Sequence, residues 1–412
     1  MTVLAEDFTF QHLGTVDDVE QHLELMRDVF GEKSGVDLQV KKWIDHHPFV
    51  TLEDFFVIKH HGKIVAALNL IPSEWSIGGC PLKVAELACV ATLPEYRHQG
   101  LQRRLMAEYH KRVSEQRYDL SAIEGIPCFY RQFGYEYAVP LDEQTRIRLD
   151  EIPNCTSAYS VRPFTRGDIS KAMQLFTQAQ RKFYVRITRN NGIWRMQEET
   201  GMVAECKFEG YSVEQDGEMI AYFRTNHYPE SKELFLREVT DVDKSAARSI
   251  LSFLKEKGLS LGLETLVCTI SHHEHFIEHL MASGKAEQPR PYAWQIRVTD
   301  YVRLFSKMKP LFEKRLKSSK CRCMTEKVSL NFYRYTVQLT FEDGIMTDVQ
   351  CLESSHDRAV RFSPIVFTQL LLGYRSLEEL ESIYPDFIVR PSYKELIDAL
   401  FPKLPSYVYT GY

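Results

Sequence analysis

The 412-residue sequence has no run of 18 apolar residues, so no membrane-spanning helix is expected. It opens Met1-Thr-Val-Leu-Ala-Glu-Asp7, without a basic stretch followed by a long apolar core, which points to a cytoplasmic protein. None of the nine cysteines forms a CxxC pair, so nothing suggests a zinc ribbon or a dithiol redox centre. Their odd number favours free thiols in a reducing compartment. Excess positive charge is also missing. Lys plus Arg number 51 against 56 Asp plus Glu, a net charge of −5, and no nucleic-acid partner is expected.

What is present is ordinary globular composition, with 44% hydrophobic and 26% charged residues. A chain this long exceeds one hydrophobic core, so two or three domains are expected. Strand and helix patterns alternate throughout, giving a mixed α/β class. Val16 to Phe30 places Val19, Leu23, Met26 and Phe30 at helical spacing. Phe55–Lys59 and Ile64–Ile71 are strands around a His-Gly-Lys turn, and Val84–Val90 is the next strand. A second segment repeats this order about 150 residues later: helix, strand, Asp-Gly turn, strand, a further strand, helix, strand, short helix. In it Arg237-Glu-Val239 stands where the first segment has Ala85-Glu-Leu87. A third α/β segment starts near Pro289 and ends in an aromatic tail, Tyr407-Val-Tyr-Thr-Gly-Tyr412.

The stretch with the clearest chemistry is Thr92–Arg104, TLPEYRHQGLQRR. It joins a buried strand to a helix that places Leu101, Leu105, Tyr109 and Val113 on one face. Free N–H groups at a helix start, with Arg97, Arg103 and Arg104 nearby, make an anion site. Gly100 lets a phosphate approach the backbone. The repeat lacks this chemistry after Val239, so one such site is expected.

Arg97-His-Gln-Gly100-Leu-Gln102-Arg103 resembles the loop with which GNAT acyltransferases hold the pyrophosphate of acetyl-CoA, although Gln102 stands where that loop has a small residue. Cys128-Phe-Tyr130-Arg-Gln-Phe-Gly134-Tyr135 resembles the downstream GNAT motif in both order and placement. Two such segments followed by a third resemble the Eis-like branch, whose last part is similar to sterol carrier proteins.

The resemblance implies three parts. Residues 1–153 would be a catalytic GNAT domain and 154–290 a degenerate GNAT-like domain. Residues 291–412 would be a sterol-carrier-protein-like domain whose C-terminus returns to the active site. It implies acetyl-CoA as co-substrate, held by the backbone of Val90, Ala91 and Thr92 and by Arg97, His98, Gln99, Gly100, Leu101, Gln102 and Arg103, with no metal. It also implies that Tyr130 protonates the departing thiolate and that the carboxylate of Tyr412 removes the amine proton. A phenol suits the first task, because it remains protonated near neutral pH.

Glu86, inside the strand, is the other candidate base. The implied acceptor is a small-molecule amine of aminoglycoside or polyamine type, although Gly411 supplies no charge for a cation. Asp28, Asp45 and Glu74 are further acidic candidates. The implied assembly is a homo-oligomer, a hexamer. A protein-amine acetyltransferase and a silent module binding acyl-CoA or lipid remain as alternatives. The histidine-rich Ser271–His279 lacks the His-Glu-x-x-His spacing and reads as a solvated helix face.

Overall fold

Strand β1 (Phe8–His12) leads into helix α1 (Val16–Phe30), whose start is set by a capping box. The Thr15 hydroxyl accepts from the Asp18 N–H, and the Asp18 carboxylate accepts from the Thr15 N–H, both at 3.1 Å. Leu23 and Met26 are buried from this helix, whereas Phe30 is 40% exposed. Helix α2 (Val36–His46) follows, then strands β2 (Phe55–His60) and β3 (Lys63–Ile77). Their turn has φ of 48° at His61 and 82° at Gly62, the left-handed pair that a two-residue hairpin requires. Strand β4 (Cys80–Thr92), helix α3 (Leu101–Glu115) and strand β5 (Leu120–Ile123) form the central unit, followed by β6 (Glu136–Leu141) and β7 (Thr145–Arg148). All four apolar positions expected on α3 are buried. Tyr109 pins that helix to the sheet, its hydroxyl donating to the Ala85 carbonyl at 3.0 Å and lying 2.8 Å from Ser121 Oγ.

In this computed structural model the described residues are 7–141, 143–154, 159–282, 285–289, 292–353 and 359–410. Gly411 and Tyr412 lie outside them, as do residues 155–158, just after the boundary expected between 153 and 154.

Three main sheets form, and strands cross between the segments. The first has the order β1-β2-β3-β4-β5, then Tyr292–Val298, then β6. Tyr292–Val298 comes from the start of the third segment, and it is inserted here because Ala293, Trp294 and Ile296 are buried in the first sheet's core. The strand Val185–Thr188, from the second segment, adds to the far end of β3. Conversely β7 joins the second sheet, in the order β7, Thr265–Cys268, Glu233–Val239, Glu218–His227, Glu209–Gln215, Ser160–Pro163. Within that sheet Glu233–Leu236 runs parallel to Thr265–Cys268, with helix Lys244–Ser260 between them in sequence. This is the arrangement of β4, α3 and β5. The third sheet has five strands, with helices Tyr301–Lys317, Pro364–Leu371 and Pro391–Leu400 beside it in sequence.

The tail leaves the third segment and runs back along the second. The Tyr184 N–H donates to the Pro405 carbonyl at 2.7 Å, and the Tyr407 N–H to the Val185 carbonyl at 3.0 Å. Among the described residues no helix is long and apolar enough to cross a membrane.

Candidate active site

Two features open the first sheet at the carboxyl end of β4. Strand β4 pairs with β5 in parallel only from Val84 to Glu86, opposite Leu120 to Ala122, and then continues to Thr92 paired with β3 on its other edge alone. Against β3 the register passes from Ala67↔Ala91 to Asn69↔Ala88, so Cys89 and Val90 together face Leu68. This is a β-bulge, and it places Cys89 at φ +48°. The result is a cavity of about 1080 Å³ between β4 and the Ile123–Ile126 stretch, roofed by α1, α2 and the first turn of α3. It lies outside the carboxyl ends of strands, where open α/β sheets bind ligands.

One end of the cavity is built for an anion. Gly100, at φ +79°, precedes α3 and carries no side chain to cap it. The first intrahelical bond runs from the Arg104 N–H to the Gly100 carbonyl at 3.2 Å, so the N–H groups of Leu101, Gln102 and Arg103 precede the ladder. Arg97, His98, Gln99, Gly100, Leu101, Gln102 and Arg103 all line the cavity, as do Val90 and Thr92. Arg103 is exposed and makes no ion pair among the described residues, whereas Arg104 is tied to Glu108 at 2.7 Å. Ala91 stands apart: its side chain is buried and its carbonyl accepts from Gln102 Nε2 at 2.7 Å. That bond also explains why Gln102 does not crowd the turn. Its amide folds back onto the sheet, reaching Thr92 Oγ1 at 2.9 Å and the Ala67 carbonyl at 3.3 Å.

The other end is acidic, lined by the buried Glu86 and the exposed Glu124 and Glu205. Glu86 is buried, and it forms no hydrogen bond among the described residues. Burial, with the Glu124 carboxylate adding to it, pushes the Glu86 carboxyl well above the usual range. Burial likewise pushes the Cys89 thiol up, with Glu205 and Glu86 reinforcing the shift, so Cys89 is no thiolate nucleophile.

Tyr130 begins a short 3₁₀ turn that ends at Gly134, φ +87°. Its ring lies against Gly125 so closely that a Cβ there would fall 2.3 Å from Cδ2. Gly125 is itself fixed, because its carbonyl accepts from the Tyr292 hydroxyl at 2.6 Å and from Gln295 Nε2 at 2.8 Å. Burial raises the Tyr130 phenol above its ordinary value, so it is a neutral O–H donor facing the cavity.

The tail also reaches this cavity, and Thr410 is among its lining residues. Tyr412, the other candidate base, lies outside the described residues. Of the other acidic candidates, Asp28, Asp45 and Glu74 do not line the cavity. Glu124 and Glu205 carry no signal in the sequence that marks them for the site. Glu205 comes from the second segment, and nothing local announces that it faces a site in the first. The 271–279 histidines form no metal cluster among the described residues. Among the described residues the one group of ligand atoms near enough to share an ion is Asp7, His60 and His61, at the turn end of the β2–β3 hairpin.

Residues 12–138 match the family model described as an acetyltransferase (GNAT) domain. Among curated proteins none matches the sequence significantly. Several solved structures share the fold over nearly the whole chain. A GCN5-related N-acetyltransferase from Anabaena variabilis superposes with a TM-score of 0.75 at 16% identity, covering 98% of this chain and 100% of that one. A GCN5-related N-acetyltransferase from Kribbella flavida gives 0.70 at 17%, covering 98% and 99%. Eis1 from Mycobacterium abscessus gives 0.66 at 12%, covering 98% and 100%. At such identities the likeness is one of fold. The anion turn, the β4 bulge and Tyr130 all fall within the matched residues, so the chain carries a GNAT acetyltransferase domain and is an acyltransferase, related in fold to Eis-like proteins.

Proposed function

We propose that the protein transfers acetyl from acetyl-CoA to a primary amine of a small, cationic acceptor, by direct attack within a ternary complex. The observation that supports this best is the two-ended cavity: one 1080 Å³ space carries a helix-start anion site at one end and three carboxylates at the other. The first end suits a pyrophosphate, held by the α3 N–H groups with Arg97 and Arg103. The backbone of Val90 and Thr92, free of β5, suits the amides of the pantetheine arm. The second end suits an ammonium-bearing acceptor, and the buried Trp43 adds an aromatic wall.

In the reaction the neutral amine nitrogen attacks the thioester carbon, and the C–S bond breaks after the new C–N bond forms. Tyr130 gives its phenolic proton to the departing sulfur. The amine proton passes to a carboxylate, that of Glu86 or that of Tyr412, directly or through one water. Support for Glu86 is its place in the cavity wall, and support for Tyr412 is that Thr410, two residues earlier, lines the same cavity. The inert Cys89 thiol favours direct transfer over a covalent acyl-enzyme.

Release of CoA thiol with a panel of polyamines, aminoglycosides and lysine peptides tests the proposal. Turnover of small polycations is expected, with kcat reduced about a hundredfold or more in Tyr130→Phe at unchanged acetyl-CoA affinity. Acetyl-CoA binding without turnover of any amine would overturn it and leave a ligand-binding module. Turnover of peptides alone would move the acceptor to protein amines. A homo-oligomeric, hexameric assembly is proposed with it, and light scattering reads the mass.

A further inference from the structure

The second sheet has a position equivalent to the active-site end of the first, and something else fills it. Glu238 stands on the strand Glu233–Val239 much as Glu86 stands on β4, at or just beyond the last residue paired with a parallel neighbour. Glu86 faces an open cavity without an ion pair. Glu238 is instead neutralised: Arg189 Nη1 lies 2.6 Å from one of its oxygens, and the Tyr222 hydroxyl donates to the other at 2.6 Å. Burial alone would raise the Glu238 carboxyl, but the Arg189 and Arg224 guanidiniums outweigh it and hold it below the ordinary range.

Against this network lies the tail. Arg189 Nη2 donates to the Thr410 carbonyl at 2.8 Å. The Tyr409 hydroxyl donates to Glu274 Oε1 at 2.7 Å, and Lys182 pairs with the other Glu274 oxygen. The Tyr407 hydroxyl donates to the Thr269 carbonyl at 3.2 Å. Both tyrosines are buried, and Arg189 is held between them and the sheet by the face of Phe176, 4.4 Å from its guanidinium carbon.

We propose that the carboxyl end of the second sheet is a docking socket for the chain's own tail, and that Arg189 is a positioning residue which holds Thr410 at the cavity of the first sheet. The inference rests on the acetyl-transfer reading above for its kinetic consequence, but not for the docking itself. Arg189 is suited to the role because its planar guanidinium reaches two oxygens at once, in an ion pair with the Glu238 carboxylate and a hydrogen bond to the Thr410 carbonyl. A lysine there would keep one of them.

The test combines hydrogen exchange with kinetics on the full chain. In Arg189→Gln the amides of residues 406–410 should lose protection. Acetyl-CoA affinity should stay unchanged while kcat falls roughly tenfold to a hundredfold, the scale of a misplaced reacting group. Arg189→Lys should fall between. In a chain stopped after Tyr409, adding Arg189→Gln should cost nothing further, because its target is already gone. Tyr409→Phe removes one hydrogen bond to Glu274 and should show the same pattern more weakly, which keeps the test open where Arg189→Gln folds poorly. Loss of protection with unchanged kcat overturns the positioning role, as does a further loss in the shortened chain. If the wild type acetylates no amine, the acetyl-transfer reading fails while exchange still decides the socket: protection of 406–410 unchanged in Arg189→Gln overturns it.

Discussion

At the scale of single residues, Glu86 and Gly125 carry the sharpest expectations. Glu86 is buried beside a second carboxylate, so it ionises only above the usual carboxylate range. A base must be ionised to accept a proton. If Glu86 is that base, the rate rises with pH through its raised pKa rather than reaching its plateau near pH 5. Glu86→Gln should then lower kcat and remove that ascending limb, and a kcat profile from pH 5 to 9 reads both. A lowered rate with the limb intact would leave Glu86 a structural or substrate-binding acid and favour the tail carboxylate. Gly125 acts through contact alone. Its Cβ would meet the Tyr130 ring at 2.3 Å and Gln295 Nε2 at 3.0 Å, so the ring must move. Gly125→Ala should cost about 1–3 kcal/mol of stability and shift Tyr130 off its line. The signature is a drop in kcat out of proportion to any change in acetyl-CoA affinity.

Among the elements, the first turn of α3 carries the proposed anion site. Arg103 is exposed and uncommitted among the described residues, whereas Arg104 is held by Glu108. Arg103→Ala should therefore raise the acetyl-CoA Kd several-fold and make it less sensitive to salt, while Arg104→Ala should do less; calorimetric titration at two salt concentrations separates them. This turn was legible in the sequence because its signals are local: a buried strand, Arg-x-x-Gly, and an apolar face with helical spacing. Tyr130 was legible for the same reason. The bulge at Cys89 was not, since nothing in Ala88-Cys-Val90 says that two residues will face Leu68 alone. Nor was the insertion of Tyr292–Val298 between β5 and β6, because strand pairing across such a distance leaves no periodic trace. Gln102 shows how a local reading misleads. Its size suggested crowding, but its amide is consumed by the ends of β3 and β4.

Over the whole molecule, the three segments are interlaced rather than strung together, and buried titratable groups record that packing. His22 and His47 are pushed down to about 4 and His110 to about 3, in each case chiefly by burial. Linkage sets the sign. Unfolded histidine takes a proton near pH 6.5, and the folded protein refuses it until far lower pH, so each histidine costs stability as pH falls from about 6.5 toward its folded value. Buried carboxylates such as Glu86 act in the opposite sense near their unfolded pKa, so wild-type stability alone does not isolate the histidines. A substitution does, because every other group is common to both proteins and cancels. His110 packs flat on Tyr135, with ring centroids 5.9 Å apart, and lies 3.2 Å from its hydroxyl. His110→Phe keeps the ring and loses the titration. Relative to wild type, the variant should gain up to about 2 kcal/mol on going from pH 7.5 to pH 5, since the unfolded pKa of 6.5 lies about 1.5 units above the lower pH. Urea unfolding at the two pH values measures it. An equal difference between variant and wild type at both would show that His110 titrates normally in the folded protein and that its surroundings are open to water.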